Sequence, residues 1–153
     1  MSRHWEGEND SDLWMLDYGR WTRNMKVAPG SKNGQRYLRE LKAALEAMPL
    51  RRLLRGELAG VGYAPDNEEL VCALGAFAMY KGTSFNDLDA YQGADGSIEL
   101  AQAHGMTQTL AYMVGIENDR TRWDVAARSL RPESPEQTWQ RMYDWTCSLI
   151  KSS

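Results

Sequence analysis

The chain has 153 residues, 18 of them basic and 21 acidic, for a formal net charge of −3, with 42% hydrophobic and 25% charged residues. That balance excludes a strongly basic nucleic-acid tail protein and a strongly acidic solvating one, and it fits one globular domain. At this length folding removes roughly 70% of the extended chain's surface from water, so a core can form without disulfide or metal staples.

The total conceals an uneven layout. Residues 1–19 carry one base and five acids, and residues 20–55 carry ten bases against Glu40 and Glu46. Residues 56–119 carry Lys81 alone against ten acids, and residues 120–153 carry six bases and four acids. The blocks are therefore −4, +8, −9 and +2. Either the two middle blocks pack together and neutralise each other, or one presents a charged face to a partner.

Cys72 and Cys147 are the only cysteines, each inside an apolar stretch. They read as reduced core thiols in a reducing compartment. The start, MSRHWEGENDSDLW, has no apolar core of a secretory signal, and the run at 72–80 is too short to cross a bilayer. A cytoplasmic protein with no membrane partner is the expectation.

In chain order, residues 12–23 hold apolar residues at 13, 14, 16 and 21, giving one or two short helices or an extended lead-in. Residues 27–34 form a loop by their Pro and Gly content. Leu38, Leu41, Leu45 and Met48 then recur at helical steps, predicting about four turns of helix with a basic polar face, capped by Asn33 and ended by Pro49. Gly60-Val-Gly-Tyr-Ala-Pro-Asp-Asn67 interrupts the helical pattern, and either a small β-hairpin or a short helix ending at Gly60 fits its flanks. Cys72–Lys81 reads as a buried helix closed by Gly82, and Ser84 caps a short helix through Tyr91. Ser97 caps Ile98–His104, Gly105 ends it, and Thr107 caps Gln108–Glu117. Ser134-Pro-Glu-Gln137 is a capping box with proline at the first helical position. Behind it Trp139, Met142, Tyr143, Thr146, Leu149 and Ile150 share one face. The fold class is therefore mainly α. It is a compact single domain over 1–153 of about five to seven helices, with residues 1–12 mobile and the one hairpin, where it forms, near 53–72.

No catalytic signature stands out. Gly30-Ser-Lys-Asn-Gly34 lacks the spacing of a phosphate-binding loop, and no dinucleotide-binding glycine motif, zinc-protease helix or paired C-x-x-C occurs. His4 and His104 are the only histidines. His104 reads as a surface or capping residue, and binding of a metal by His104, Cys72 and Cys147 has no supporting spacing. Glu117-Asn118-Asp119 with Asp124 reads as a solvated exit loop, and Asp66-Asn67-Glu68-Glu69 as a turn. The chain is expected to be no enzyme and to need no cofactor and no metal.

Residues 98–115 align with a helix-turn-helix. Ala101 takes the small position of the first helix and Gly105 the turn, while Met106, Ala111 and Val114 are buried. A reading helix would then expose Thr107, Gln108, Thr109 and Tyr112 to base edges. His104 stands at a normally apolar position, however, and no Arg or Lys lies between 82 and 119. DNA affinity rests largely on phosphate neutralisation, so other segments would have to supply the bases.

Gly34-Gln-Arg-Tyr-Leu-Arg-Glu-Leu-Lys-Ala-Ala-Leu-Glu-Ala-Met-Pro49, followed by Val71-Cys-Ala-Leu-Gly-Ala76, resembles a group of small uncharacterised proteins of phages and bacterial genomes. They share a C-[CA]-L-G-[AV] helix start and a later N-D before a tryptophan-containing closing helix. Here those are Asn118-Asp119 and the helix from Ser134 through Trp145. The resemblance covers residues 30–150 and its motifs are short. It implies no activity and no catalytic residue. It does imply a phage or prophage setting, in which small domains often bind host proteins.

Two functions follow as expectations. The first is a non-enzymatic interaction protein, a phage-type modulator or inhibitor of a host or defence protein complex acting through charged faces. Its candidate residues toward an acidic partner are Arg20, Arg23, Arg36, Arg39, Lys42, Arg51, Arg52 and Arg55. The alternative is a small nucleic-acid-binding protein that reads through 98–115 with the basic segment 20–55 on phosphates. Self-association as a homo-oligomer, basic face to acidic segment, is a further option.

Overall fold

The computed structural model describes residues 27–61, 69–91, 95–120, 122–124, 129–131 and 133–152. The expected lead-in at 12–23, the mobility of 1–12, and Arg20 and Arg23 lie outside the described residues. The fold is mainly α with a small hairpin, as the periodicity predicts. Five α-helices are described: α1 Lys32–Glu46, α2 Ala73–Tyr80, α3 Gly96–Ala103, α4 Gln108–Asn118 and α5 Pro135–Leu149. Short 3-10 helices cover Ala28–Gly30 and Asn86–Tyr91.

α1 begins two residues earlier than the spacing predicts. Ser31, not Asn33, is its N-cap, and the Ser31 hydroxyl accepts from the Gly34 amide at 2.9 Å. The cause is local. The chain enters through the Ala28–Gly30 turn, and a side chain at Gly34 would overlap the Ala28 carbonyl, so only glycine lets the first turn seat there. Leu38, Leu41 and Leu45 are fully buried along one stripe.

α2 is apolar all round and is buried from Ala73 to Ala78, as such a helix must be. It packs against α1, α3 and α4 and forms the middle of the core. Thr83 donates its amide to Ala78 and Gly82 to Met79, which closes the helix at Gly82 as expected. The predicted helix after Ser84 is a 3-10 helix, and the Ser84 hydroxyl accepts from the Asp87 amide at 3.2 Å. α3 is capped at Asp95, without a side-chain bond, rather than at Ser97. Gly96 thus lies inside the helix, against the Tyr91 carbonyl.

The hairpin expected near 53–72 is present as β1 Ala59–Val61 and β2 Glu69–Val71, antiparallel with Gly60 opposite Leu70. Residues 50–58 before it form a strap, not a helix. Leu53 donates to the Pro135 carbonyl, Leu54 to Val71, and Cys72 to Leu58. A second hairpin, β3 Arg122–Asp124 with β4 Ser129–Arg131, was not signalled by the sequence pattern.

α5 opens with the expected reciprocal capping box of Ser134 and Gln137. It packs on α1 through Trp139 and Met142, both buried, and the Trp139 indole donates to the Leu45 carbonyl at 3.2 Å. No described helix is long and apolar enough to cross a membrane.

Candidate protein-interaction surface

The described bases of the second charge block separate into two groups that do different things. Arg51, Arg52 and Arg55 lie on the strap and hold it to α5. The Arg55 guanidinium is 3.4 Å from Glu133, Arg52 is 3.7 Å from Glu136, and Arg51 lies 4.6 Å over the Trp139 ring. Their charge is used inside the molecule, against the last third of the chain rather than the acidic block.

The second group is on α1. Lys32, Arg36 and Arg39 stand at i, i+4 and i+7, so they share one face, and all three are exposed. Lys151 joins them from beyond α5. Arg39 donates to its carbonyl at 3.0 Å, the Lys151 amide donates to Gln35 Oε1 at 2.7 Å, and its ammonium reaches the Gly30 carbonyl at 3.2 Å. Lys42 is half-buried at the flank of this row.

Glu40 is the acid nearest this face. It takes Arg36 at 3.1 Å and Lys81 at 2.6 Å. Burial pushes its carboxyl up, but the hydrogen bonds from Lys81 and Arg36 outweigh this and hold it below the ordinary range. One carboxylate shared by two bases leaves the row with surplus positive charge. Glu46, further along, is engaged by the Tyr143 hydroxyl at 2.6 Å.

The α3–α4 pair has the burial that a helix-turn-helix alignment requires. Ala101, Met106, Ala111 and Val114 are buried, and Gly105 sits in the turn at φ +98°. His104 fits its apolar position by setting its ring edge-on to Phe77 and sharing a 2.8 Å hydrogen bond with Thr83. Of the proposed base readers, Gln108 is exposed, Thr109 and Tyr112 are half-buried, and Thr107 caps α4 by accepting from Leu110. Asp95 and Glu99 are exposed on α3, and the first base after it is Arg120. Tyr37 packs beneath the Gly105 turn, and Arg36 of the basic row lies 5.1 Å over the Tyr37 ring.

Glu117-Asn118-Asp119 is not the solvated exit loop its composition suggests. Asn118 is 1% exposed, and its side chain accepts from the Ala73 amide at 3.0 Å and donates to the Leu54 carbonyl at 2.9 Å. Asp119 accepts from the Gly56 amide at 2.9 Å. Glu117 pairs with Arg141 at 2.9 Å, and Arg141 also binds Glu133 at 2.9 Å. A charge run can thus be an internal fastening when its partners are far away in sequence, and no local pattern shows that. Asp124 ends strand β3, opposite Ser129, and residues 66–68 lie outside the described residues.

Cys72 sits at the start of α2, and burial pushes its thiol up to about 11, which keeps it a thiol. Cys147 is on α5 and His104 at the end of α3, and among the described residues no group of His, Cys, Asp and Glu could hold a metal.

Sequence reasoning missed a second surface. A groove of about 540 Å³ lies between the end of α1, residues 48–52 and α2. Ala44, Ala47 and Ala76 lie along it, Leu50, Met79 and Tyr80 are exposed around it, and Arg52 and Glu69 are its charged residues. The available signal was α2 itself, which keeps its apolar composition into a last turn where Met79 and Tyr80 are exposed. No protein family, curated protein or solved structure matches the chain.

Proposed function

We propose that the chain is a non-enzymatic interaction protein that binds an acidic surface of a protein partner through the outer face of α1. The observation that carries this reading is the exposed row of Lys32, Arg36 and Arg39 with Lys151 beside it, where, among the described residues, Glu40 is the carboxylate that pairs with the row and it is already shared by two bases. Interspersed rather than single-sign charge is the ordinary condition of a surface that binds nothing. A one-sign row steers an oppositely charged partner and fixes its register. The resemblance to phage and bacterial proteins makes a host or defence complex the finer reading of that partner.

The same row could meet phosphates, so the alternative of nucleic-acid binding uses the same bases. The acidic surroundings of α3 and α4 weigh against 98–115 as the reader.

A photo-crosslinker at Lys32 or Arg39, with one at Gln108 as control, tests the reading in bacterial lysate. The expected result is one acidic protein captured from the first two positions and lost on Arg36→Glu. Salt-steep retention on duplex DNA that falls with Gln108→Ala would overturn it in favour of the helix-turn-helix.

A further inference from the structure

We propose that the site for the acidic partner is built from two segments distant in sequence, with the buried Gln35 as the positioning residue that sets Lys151 and Arg39 into the row. This rests on the function proposed above and adds what holds that site in shape.

Gln35 lies on α1 and is 6% exposed, and a buried amide must find partners for both its oxygen and its nitrogen. All of its partners are main-chain groups. Its Nε2 donates to the Pro29 carbonyl at 2.6 Å and to the Leu149 carbonyl at 2.8 Å, and its Oε1 accepts from the Lys151 amide at 2.7 Å. Both amide hydrogens and the oxygen are thus used, and the reversed amide would set its oxygen against two carbonyls. One side chain therefore fixes the entry to α1, the last residue of α5 and the chain beyond it relative to one another.

Past α5 the helix no longer dictates where the chain goes, because Ile150 is extended, with ψ 127°. The bond from the Lys151 amide to Gln35 does so instead. From that position the Lys151 carbonyl accepts from Arg39 at 3.0 Å, and the ammonium reaches the Gly30 carbonyl at 3.2 Å. Two cations are drawn onto one face, each turned toward a carbonyl that offsets their repulsion. Arg36 is held differently, within α1 itself, by Glu40 at 3.1 Å and by the Tyr37 ring at 5.1 Å. The row thus has one part set by its own helix and one part set by the Gln35 latch.

A partner's carboxylates then meet side chains whose rotamers are already restricted, which removes part of the ordering cost of binding. An arginine fixed through one nitrogen keeps further donors for a carboxylate, and its plane is already set.

Binding of fluorescein-labelled polyglutamate to the full chain, followed by anisotropy at low salt, tests the latch. Lys151→Ala should raise the Kd about three- to tenfold, and Gln35→Leu should do the same although it removes no charge. The two combined should bind no more weakly than Gln35→Leu alone, whereas Arg36→Ala should weaken the Gln35→Leu chain by the same factor as the parent. Lys151→Pro repeats the test at an exposed residue. It loses the same charge as Lys151→Ala and also the amide hydrogen that Gln35 accepts, so it should bind about threefold more weakly than Lys151→Ala. Circular dichroism identifies a Gln35→Leu chain that has unfolded, in which case the comparison at 151 decides. Additive effects of Gln35→Leu and Lys151→Ala, or equal binding by the proline and alanine variants, would overturn the latch. If Arg36→Ala weakens binding and Lys151→Ala does not, the composite site falls and the function proposed above stands. If every variant, Arg36→Ala included, binds as the parent does, both fall.

Discussion

Arg141 on α5 donates to the main-chain carbonyl of Glu117, the penultimate residue of α4, and lies 2.9 Å from the same residue's carboxylate. Its other edge binds both oxygens of Glu133 at 2.9 Å and the Asn118 carbonyl at 3.1 Å. One guanidinium thus joins the end of α4 to the residue before the α5 cap. Its side chain is 10% exposed, and those of Glu117 and Glu133 are 12% and 16% exposed.

Arg141→Met should therefore be among the most destabilising single changes outside the apolar core. It removes the shortest charge partner of two largely buried carboxylates, leaving Glu133 its longer contact to Arg55 and Glu117 its longer contact to Arg120, and breaking a buried pair from one side costs about 3–5 kcal/mol. Urea denaturation measures this. A loss under about 1 kcal/mol would show the network to be dispensable. Replacing Glu117 and Glu133 with apolar residues in the same chain should return much of the loss, because nothing charged is then left buried.

The same network sets an acid limit. Hydrogen bonding by Arg141, against the opposing effect of burial, pulls the Glu133 carboxyl down to about 2 from an ordinary value of 4.5. A depressed carboxylate contributes stability that is complete above its unfolded value and is lost as pH falls through the folded one. Unfolding free energy should decline between pH 4.5 and 2, and Glu133→Gln should flatten that limb while lowering the plateau above it. An unchanged acid limb in the variant would assign the decline to other carboxylates.

The start of α5, the start of α4, the end of α2 and the core stripes were legible in the sequence because they are local, whereas the caps of α1 and α3 fall at Ser31 and Asp95 rather than Asn33 and Ser97. The serine, proline and glutamine that open α5, Thr107 before α4 and Gly82 after α2 each act within four residues of themselves. The leucine stripe of α1 is likewise read from spacing alone. What escaped is long-range. Nothing near Asn118 in sequence shows that its amide ties the start of α2 to the strap, through Ala73 and Leu54. Nor could composition divide the described bases of the block into those spent on Glu133, Glu136 and Trp139 and those on the outer face of α1. Short hairpins such as β3–β4 carry little periodic signal at three residues a strand.

Gly105 is a sharper test of the turn between α3 and α4. Its φ of +98° is strained for any side chain, and a Cβ there would collide with the Tyr37 hydroxyl. Gly105→Ala should cost about 1–3 kcal/mol. Adding Tyr37→Phe should recover part of it by removing the collision, but not the part due to backbone strain. Full recovery in the double variant would show that the backbone contributes nothing.

Removal of residues 135–153 should give insoluble protein. It uncovers the face of α1 against which Trp139 and Met142 are buried, together with the Leu45 carbonyl that accepts from the indole. The single change Trp139→Ala should cost about 3–5 kcal/mol and leave a weakened but soluble chain. A soluble truncation with the parent's helical circular dichroism would contradict the placement of α5 in the core.

The outward bases should behave in the opposite way. Arg36 has a side chain 63% exposed, and its pair with Glu40 spans one helical turn. Exposed pairs of this kind contribute about 0–1 kcal/mol, so Lys32→Ala, Arg36→Ala and Arg39→Ala combined should leave unfolding within about 1 kcal/mol of the parent. Retention on immobilised polyglutamate should nevertheless fall sharply, and the salt needed for elution should drop with each base removed. Arg51→Ala and Arg55→Ala should do the reverse. They loosen the strap over Trp139 and Glu133 and lower stability, with little effect on retention. A triple variant on α1 that unfolds easily, or that elutes with the parent, would remove the distinction between the two groups of bases.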